Sequence, residues 1–273
     1  MKKIINLTNK YIVTATPLIL FTLITSVYLS ICVNGGKIIN LLISFVLLFL
    51  MTAAFLAGWF NMLKIAVEKS DDDDEPNSLI KSFTPGVGEY FLPCTGAILI
   101  SIIISLILLT ITTVIGMHTI GNPQISADAF SNALKDTESL KQFLSGLSSE
   151  QLVKISMWNI LFLGTTYINW FLVMFYMPAM FFESKNPFIA FFKSLKRLFS
   201  KKIIKNIGIF LLISCIYFII SILSALFAQN AILTFIITLI NFYFICATAL
   251  GIFYYYNQTF IQHQIGQNVD TYI

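Results

Sequence analysis

Charge is scarce in this chain. Asp, Glu, Lys and Arg make up 11% of its 273 residues, while 57% are hydrophobic; soluble domains average about 25% charged. After Lys205 one formally charged residue remains, Asp270, and residues 12–33, 38–63, 90–120 and 156–182 contain none. A water-soluble fold of this size cannot hide so much apolar surface, so the surrounding medium is hydrocarbon. A helix needs about 20 predominantly apolar residues to cross about 30 Å of it. Barrel strands alternate apolar and polar over about 10 residues, a pattern these runs exclude. The expected fold class is all-α, a polytopic transmembrane helix bundle of six spans, because each helix satisfies its own backbone hydrogen bonds in lipid.

Groups that carry chemistry are scarce too. The two histidines, His118 and His263, stand alone, without an HExxH. Cys32, Cys94, Cys215 and Cys246 show no CxxC spacing and read as small apolar packing residues. There is no GxSxG and no GxxxxGK[ST], hence no nucleophile elbow and no nucleotide loop. No ionisable residue lies near the centre of a hydrophobic run, which removes the usual mark of ion-coupled transport. The expectation is a protein that is not an enzyme and uses no metal or cofactor. A net charge of +4, with no basic groove pattern, argues against nucleic acid as a partner.

What is present orders the chain as one membrane domain over residues 1–273. Spans are expected near 12–33, 38–67, 89–115, 152–182, 203–228 and 231–256. The first exceeds a typical signal-peptide core of about 7–15 residues and reads as a retained helix. Asn34-Gly35-Gly36 marks a turn, and Thr84-Pro85-Gly86-Val87-Gly88 reads as a breaker, with Pro93 in the first turn of the span that follows. Residues 117–151 read as an extracytoplasmic helical loop. In it Leu140, Phe143, Leu144 and Leu147 form an amphipathic stripe, and Ser148 and Gln151 have capping-box spacing. Asp71, Asp72, Asp73, Asp74 and Glu75 read as a solvated acidic loop. A metal-dependent lipid enzyme there is the least favoured reading, since a metal clamp needs a second, facing carboxylate cluster.

The most basic stretch surrounds residues 187–201, where Lys193, Lys196, Arg197, Lys201 and Lys202 interleave with Phe188, Phe191, Phe192 and Phe199. That pattern predicts an amphipathic helix in the membrane interface. The partners it implies are membrane lipids with anionic headgroups at the cytoplasmic face, each nearby lysine contributing about 1 kcal/mol. Within the spans, Asn61, Asn159, Asn169 and Asn241 are the polar contacts, read first as hydrogen bonds between helices. Gly58, Gly164, Gly208 and Gly251 are expected to permit close backbone approach. Tyr254-Tyr255-Tyr256 reads partly as interfacial anchoring.

Residues 58–83 and 169–195 echo each other. Each opens on a helix with Trp-Phe (Trp59-Phe60, Trp170-Phe171) and later reaches a Lys-Ser pair (Lys81-Ser82, Lys193-Ser194), the form of a parallel internal repeat. The second copy ends Pro178-Ala179-Met180-Phe181-Phe182-Glu183, then runs from Ala190 to Ser194 and Leu195-Lys196-Arg197-Leu198 before a new span. This layout resembles a broad group of bacterial six-helix membrane proteins akin to the membrane domain attached to some glycerophosphodiester phosphodiesterases. The resemblance implies architecture and no activity, since no soluble phosphodiesterase domain appears in these residues.

The function expected is that of an integral inner-membrane protein organising lipids or partner proteins. A transporter or permease subunit for a neutral or lipid-like solute is the alternative. With the N-terminus inside, thirteen of the seventeen Lys and Arg residues fall on inner segments, leaving Lys37, Lys135, Lys141 and Lys154 outside. The positive-inside rule then puts both termini in the cytoplasm, and the resemblance implies a bacterial membrane. Impermeant reagents should accordingly label tags on the two ends from the same side of sealed vesicles; labelling from opposite sides would break the six-pass layout.

Overall fold

The computed structural model describes residues 2–33, 38–70, 76–133 and 137–262. The expectations for Asn34-Gly35-Gly36, for the acidic residues Asp71, Asp72, Asp73, Asp74 and Glu75, and for Lys37, Lys135, His263 and Asp270 lie outside the described residues. Every described element is helical. They are α1 (Lys2–Lys10), α2 (Ala15–Val33), α3 (Ile38–Glu68), α4 (Phe83–Thr119), α5 (Ala127–Ala133), α6 (Thr137–Ser145), α7 (Ser149–Val173), α8 (Tyr176–Phe182), α9 (Pro187–Leu198), α10 (Ile203–Leu226) and α11 (Ala231–Tyr256). Short 3₁₀ turns cover Ile12–Thr14 and Pro76–Ser82, and a π turn, Asn257–Ile261, follows α11. Among the described residues, six helical stretches are long and apolar enough to cross a membrane: Ile12–Cys32, Leu42–Glu68, Ser78–Thr119, Ser149–Phe182, Ile203–Leu226 and Ala231–Ile261. The chain is a multi-pass, all-α membrane protein.

It divides into two units, one of Met1–Ile100 with Leu172–Ile273 and one of Ser101–Phe171. The first is held by aromatic packing. Phe60 of α3 stacks on Phe253 of α11 at 5.5 Å and meets Phe181 of α8 edge-on at 6.0 Å. Phe181 in turn stacks on Tyr90 of α4 at 4.1 Å. In lipid, helices gain nothing by hiding apolar surface from a medium that is itself apolar, so ring packing of this kind, about 0.5–1.5 kcal/mol a pair, does the joining. Trp59 Nε1 donates to the Thr14 carbonyl at 2.9 Å and pins α3 to the start of α2. The short lysine-flanked α1 was not expected from the sequence. It packs on α11, where the Tyr243 hydroxyl donates to Asn9 Oδ1 at 2.7 Å.

Two boundaries differ from the sequence reading. The expected breaker at Thr84-Pro85-Gly86-Val87-Gly88 is helical, inside the first turns of α4. Pro85 is the third residue of that helix, where its missing N–H has no intrahelical partner to lose. Gly86 lets α4 lie against α3, since a Cβ there would come 2.5 Å from Asn61 Cβ and 3.0 Å from the Ala57 carbonyl. Pro93 therefore stands in the helix interior rather than the first turn. The expected span at 152–182 is interrupted. α7 stops at Val173 and α8 resumes at Tyr176, because Pro178 has no N–H for the Met174 carbonyl. Since α3 runs unbroken through the matching region, the two copies of the sequence echo differ in form.

In the second unit, the Thr112 and Thr165 hydroxyls join α4 to α7 at 2.6 Å. Gly121 (φ +78°) closes α4, and its carbonyl accepts from Trp158 Nε1 at 3.1 Å. The Trp158 ring fills the space left by Gly116, where a Cβ would lie 2.4 Å away. The capping box is formed as expected: Ser148 N donates to Gln151 Oε1 at 3.0 Å and Gln151 N to Ser148 Oγ at 3.3 Å. Of the four glycines singled out in the sequence, Gly58 meets the Phe83 ring and Gly251 meets Ile4, but Gly164 and Gly208 have nothing within 4 Å. Gly86→Ala should accordingly destabilise the protein in detergent by about 1–3 kcal/mol, read as a lower thermal midpoint, while Gly164→Ala should be neutral or stabilising by up to about 1 kcal/mol.

Candidate functional site

The basic end of the first unit is organised around one carboxylate. Glu183 follows α8, its amide donating to the Ala179 carbonyl at 2.9 Å, and its side chain is 10% exposed. Arg197 of α9 reaches it with two bonds, Nε to Oε1 at 3.1 Å and Nη2 to Oε2 at 3.4 Å. Lys193 Nζ lies 3.7 Å from Oε2 and donates to the Glu183 backbone carbonyl at 3.1 Å. The buried Tyr256 of α11 donates its hydroxyl to Oε1. Burial works against the charge on Arg197, but the adjoining Glu183 carboxylate outweighs it and holds the guanidinium pKa above its ordinary value.

The sequence of α9 explains why these groups meet. Asn186 caps it, Oδ1 accepting from the amides of Phe188 at 3.0 Å and Ile189 at 3.3 Å, with Pro187 in the first turn where its fixed φ suits the helix. Ala190, Ser194 and Leu198, at a spacing of four, form the buried face. Phe188, Phe192 and Phe199 project on the opposite side, 64%, 67% and 55% exposed. Lys196 is exposed between the two. At the far end Asn206, fully buried, donates Nδ2 to the Leu198 carbonyl at 2.8 Å and the Arg197 carbonyl at 3.3 Å, and accepts from the Tyr255 hydroxyl at 2.9 Å. It thereby satisfies carbonyls that a helix end leaves open. Phe260, in the π turn, has Arg197 at 5.5 Å and Lys202 at 5.9 Å from its ring centre, and Lys205 lies 5.1 Å from that of Tyr255, all within cation–π range.

Below this cluster the α7/α8 break opens a cavity of about 310 Å³ between α3, the break and α11. Trp59, Phe60, Met174, Pro178 and Phe253 form its wall, with Thr248 the one hydroxyl. No charged side chain lines it.

The five basic residues singled out in the sequence thus divide. Arg197 and Lys193 turn toward Glu183, whereas Lys196, Lys201 and Lys202 are exposed. The four asparagines do not converge. Asn61 donates to the Ser82 carbonyl at 2.9 Å, Asn169 donates to Ser105 Oγ at 2.9 Å within the second unit, and Asn159 is exposed. Asn241 Oδ1 is buried without a partner, as is Asn169 Oδ1. Of the three tyrosines read partly as interfacial anchors, Tyr256 and Tyr255 turn inward to Glu183 and Asn206. Successive helical residues point about 100° apart, so three in a row cannot share one lipid face. Glu183, Asn206, Tyr256 and Phe260 were missed as site residues. The available signal was that Glu183 is the sole acidic residue between Glu150 and Asp270, beside seven cations. Among the described residues no three His, Cys, Asp or Glu side chains are grouped to hold a metal ion.

Glu183→Ala should cost about 3 kcal/mol, because it strands Arg197 and Tyr256. In a double-mutant cycle with Arg197→Met the two losses should fall short of additive by about 1–2 kcal/mol, measured by denaturation in mixed micelles. Additive losses would show that the pair is not coupled.

No protein-family model matches the chain, and no curated protein or solved structure matches it, so its function is read from these residues.

Proposed function

We propose that this protein sits in a bacterial cytoplasmic membrane with both termini in the cytoplasm, and that it organises anionic lipids without catalysing a reaction. The observation that carries the reading is the three-sided α9. One side is buried at Ala190, Ser194 and Leu198, with α9 tied to α8 by the Tyr176 hydroxyl on the Pro187 carbonyl and by Glu183 on Arg197; a second presents Phe188, Phe192 and Phe199, and Lys196 stands between them. Aromatics beside lysines on a helix fixed at a bundle end are suited to the boundary between acyl chains and headgroups. Glu183 holds Arg197 and Lys193, which leaves Lys196, Lys201 and Lys202 for headgroup phosphates.

A second reading, a permease subunit for a neutral or lipid-like solute, is favoured by one observation. A discontinuous helix borders a cavity inside the spanning part of the first unit, as in many transporter folds. The uncharged lining suits no ion.

The first reading is tested by native mass spectrometry of lipid retained from mixed nanodiscs. Wild type should retain phosphatidylglycerol over phosphatidylcholine. Replacing Lys196, Lys201 and Lys202 with Gln should remove up to about 3 kcal/mol of that preference at low salt, and less as salt screens it. An unchanged preference would refute the headgroup role.

A further inference from the structure

The cavity at the helix break and the basic end lie along the same strip of α11. Thr248, Ile252 and Tyr256 follow one another at a spacing of four, with Tyr255 beside them, so one face leads from the cavity to the polar cluster. Ile252 is about one turn, roughly 5 Å, from Tyr255 and Tyr256. On the α8 wall Pro178 precedes Glu183 by five residues, a rise of about 7.5 Å. Past the cluster, exposed Lys202 and Lys205 lie over the rings of Phe260 and Tyr255, and neither meets a carboxylate among the described residues.

The geometry points to a bound lipid: one acyl chain of an anionic phospholipid occupies the cavity beside Pro178, and its phosphate rests at Lys202 and Lys205. This rests on the anionic-lipid reading above and adds where a chain goes. A wall of rings and methionine with a single hydroxyl excludes a charged or sugar-like occupant. A volume of about 310 Å³ is at the low end of ligand cavities, about 300–1,000 Å³, enough for a segment of one chain and too small for a whole phospholipid. The chain leaves a medium as apolar as the cavity, so it gains packing rather than burial from water. The cavity therefore sets where the chain lies, and the lysines hold it there.

The test places the full chain in nanodiscs with trace phosphatidylglycerol or phosphatidylcholine carrying a diazirine on one acyl chain, followed by irradiation and peptide mapping. Phosphatidylglycerol adducts should concentrate on residues 173–178 and 244–253, while phosphatidylcholine adducts spread over the lipid-facing helices. Lys202→Gln with Lys205→Gln should lower the concentrated adducts about tenfold. Ala249→Leu, which adds bulk at the cavity wall, should disperse them without changing the retained ratio of the two lipids. Phosphatidylglycerol adducts spread evenly over the wild-type protein would overturn the chain site and leave the headgroup reading of the exposed lysines intact. Adducts concentrated at the cavity from both lipids alike would overturn the assignment of Lys202 and Lys205. The wild-type map decides the matter even if a variant fails to fold.

Discussion

The Glu183 carboxylate is 10% exposed, and two helices are arranged to answer it. Arg197 and Lys193 come from α9 and Tyr256 from α11, while Glu183 itself terminates α8. A buried ion pair is expensive to assemble and more expensive to break. Its value here is positional. With the carboxylate met on all sides, α9 has one orientation, and that orientation decides which cations remain exposed. Asn206 finishes the job by closing the end of α9 and engaging Tyr255. The exposed lysines are therefore as much a product of the buried carboxylate as of their own sequence.

The second constraint is the medium. Among apolar helices in an apolar solvent, specificity comes from shape, from rings and from the few polar groups that must be paired. The layer of Phe60, Tyr90, Phe181 and Phe253 supplies the shape. Trp59 and Asn61 each spend their side-chain N–H on a backbone carbonyl of another element. Pro178 then removes one donor from a spanning helix that breaks in mid-course, and a cavity opens beside it.

The hydrophobic runs made the spans legible because hydrocarbon tolerates almost nothing else; α11 begins and ends at the positions expected. The capping box at Ser148 and Gln151 was legible for a similar reason, being a local exchange of two hydrogen bonds. What escaped was set by partners distant in sequence. Pro85 and Gly86 look like a stop until Asn61 and Ala57 are seen to need a bare backbone opposite them. Tyr254, Tyr255 and Tyr256 look alike until rotation about the helix separates them. Arg197 looks like another surface cation until Glu183, fourteen residues earlier, is found beneath it. The asparagines were visible but dispersed among separate tasks.

The first unit is discontinuous: its final helix, α11, contacts its earliest, α1, and completes the shell of Glu183. Synthesis proceeds from the N-terminus at about 5–20 residues per second. Residues 101–171 are therefore all made while α11 is still unwritten, and α1 through α10 must wait beside the insertion machinery for their closing strut. During that interval of several seconds Glu183 lacks the Tyr256 hydroxyl and the aromatic layer lacks Phe253. A truncation or stall before Tyr256 would leave a product that quality-control proteases read as unfinished.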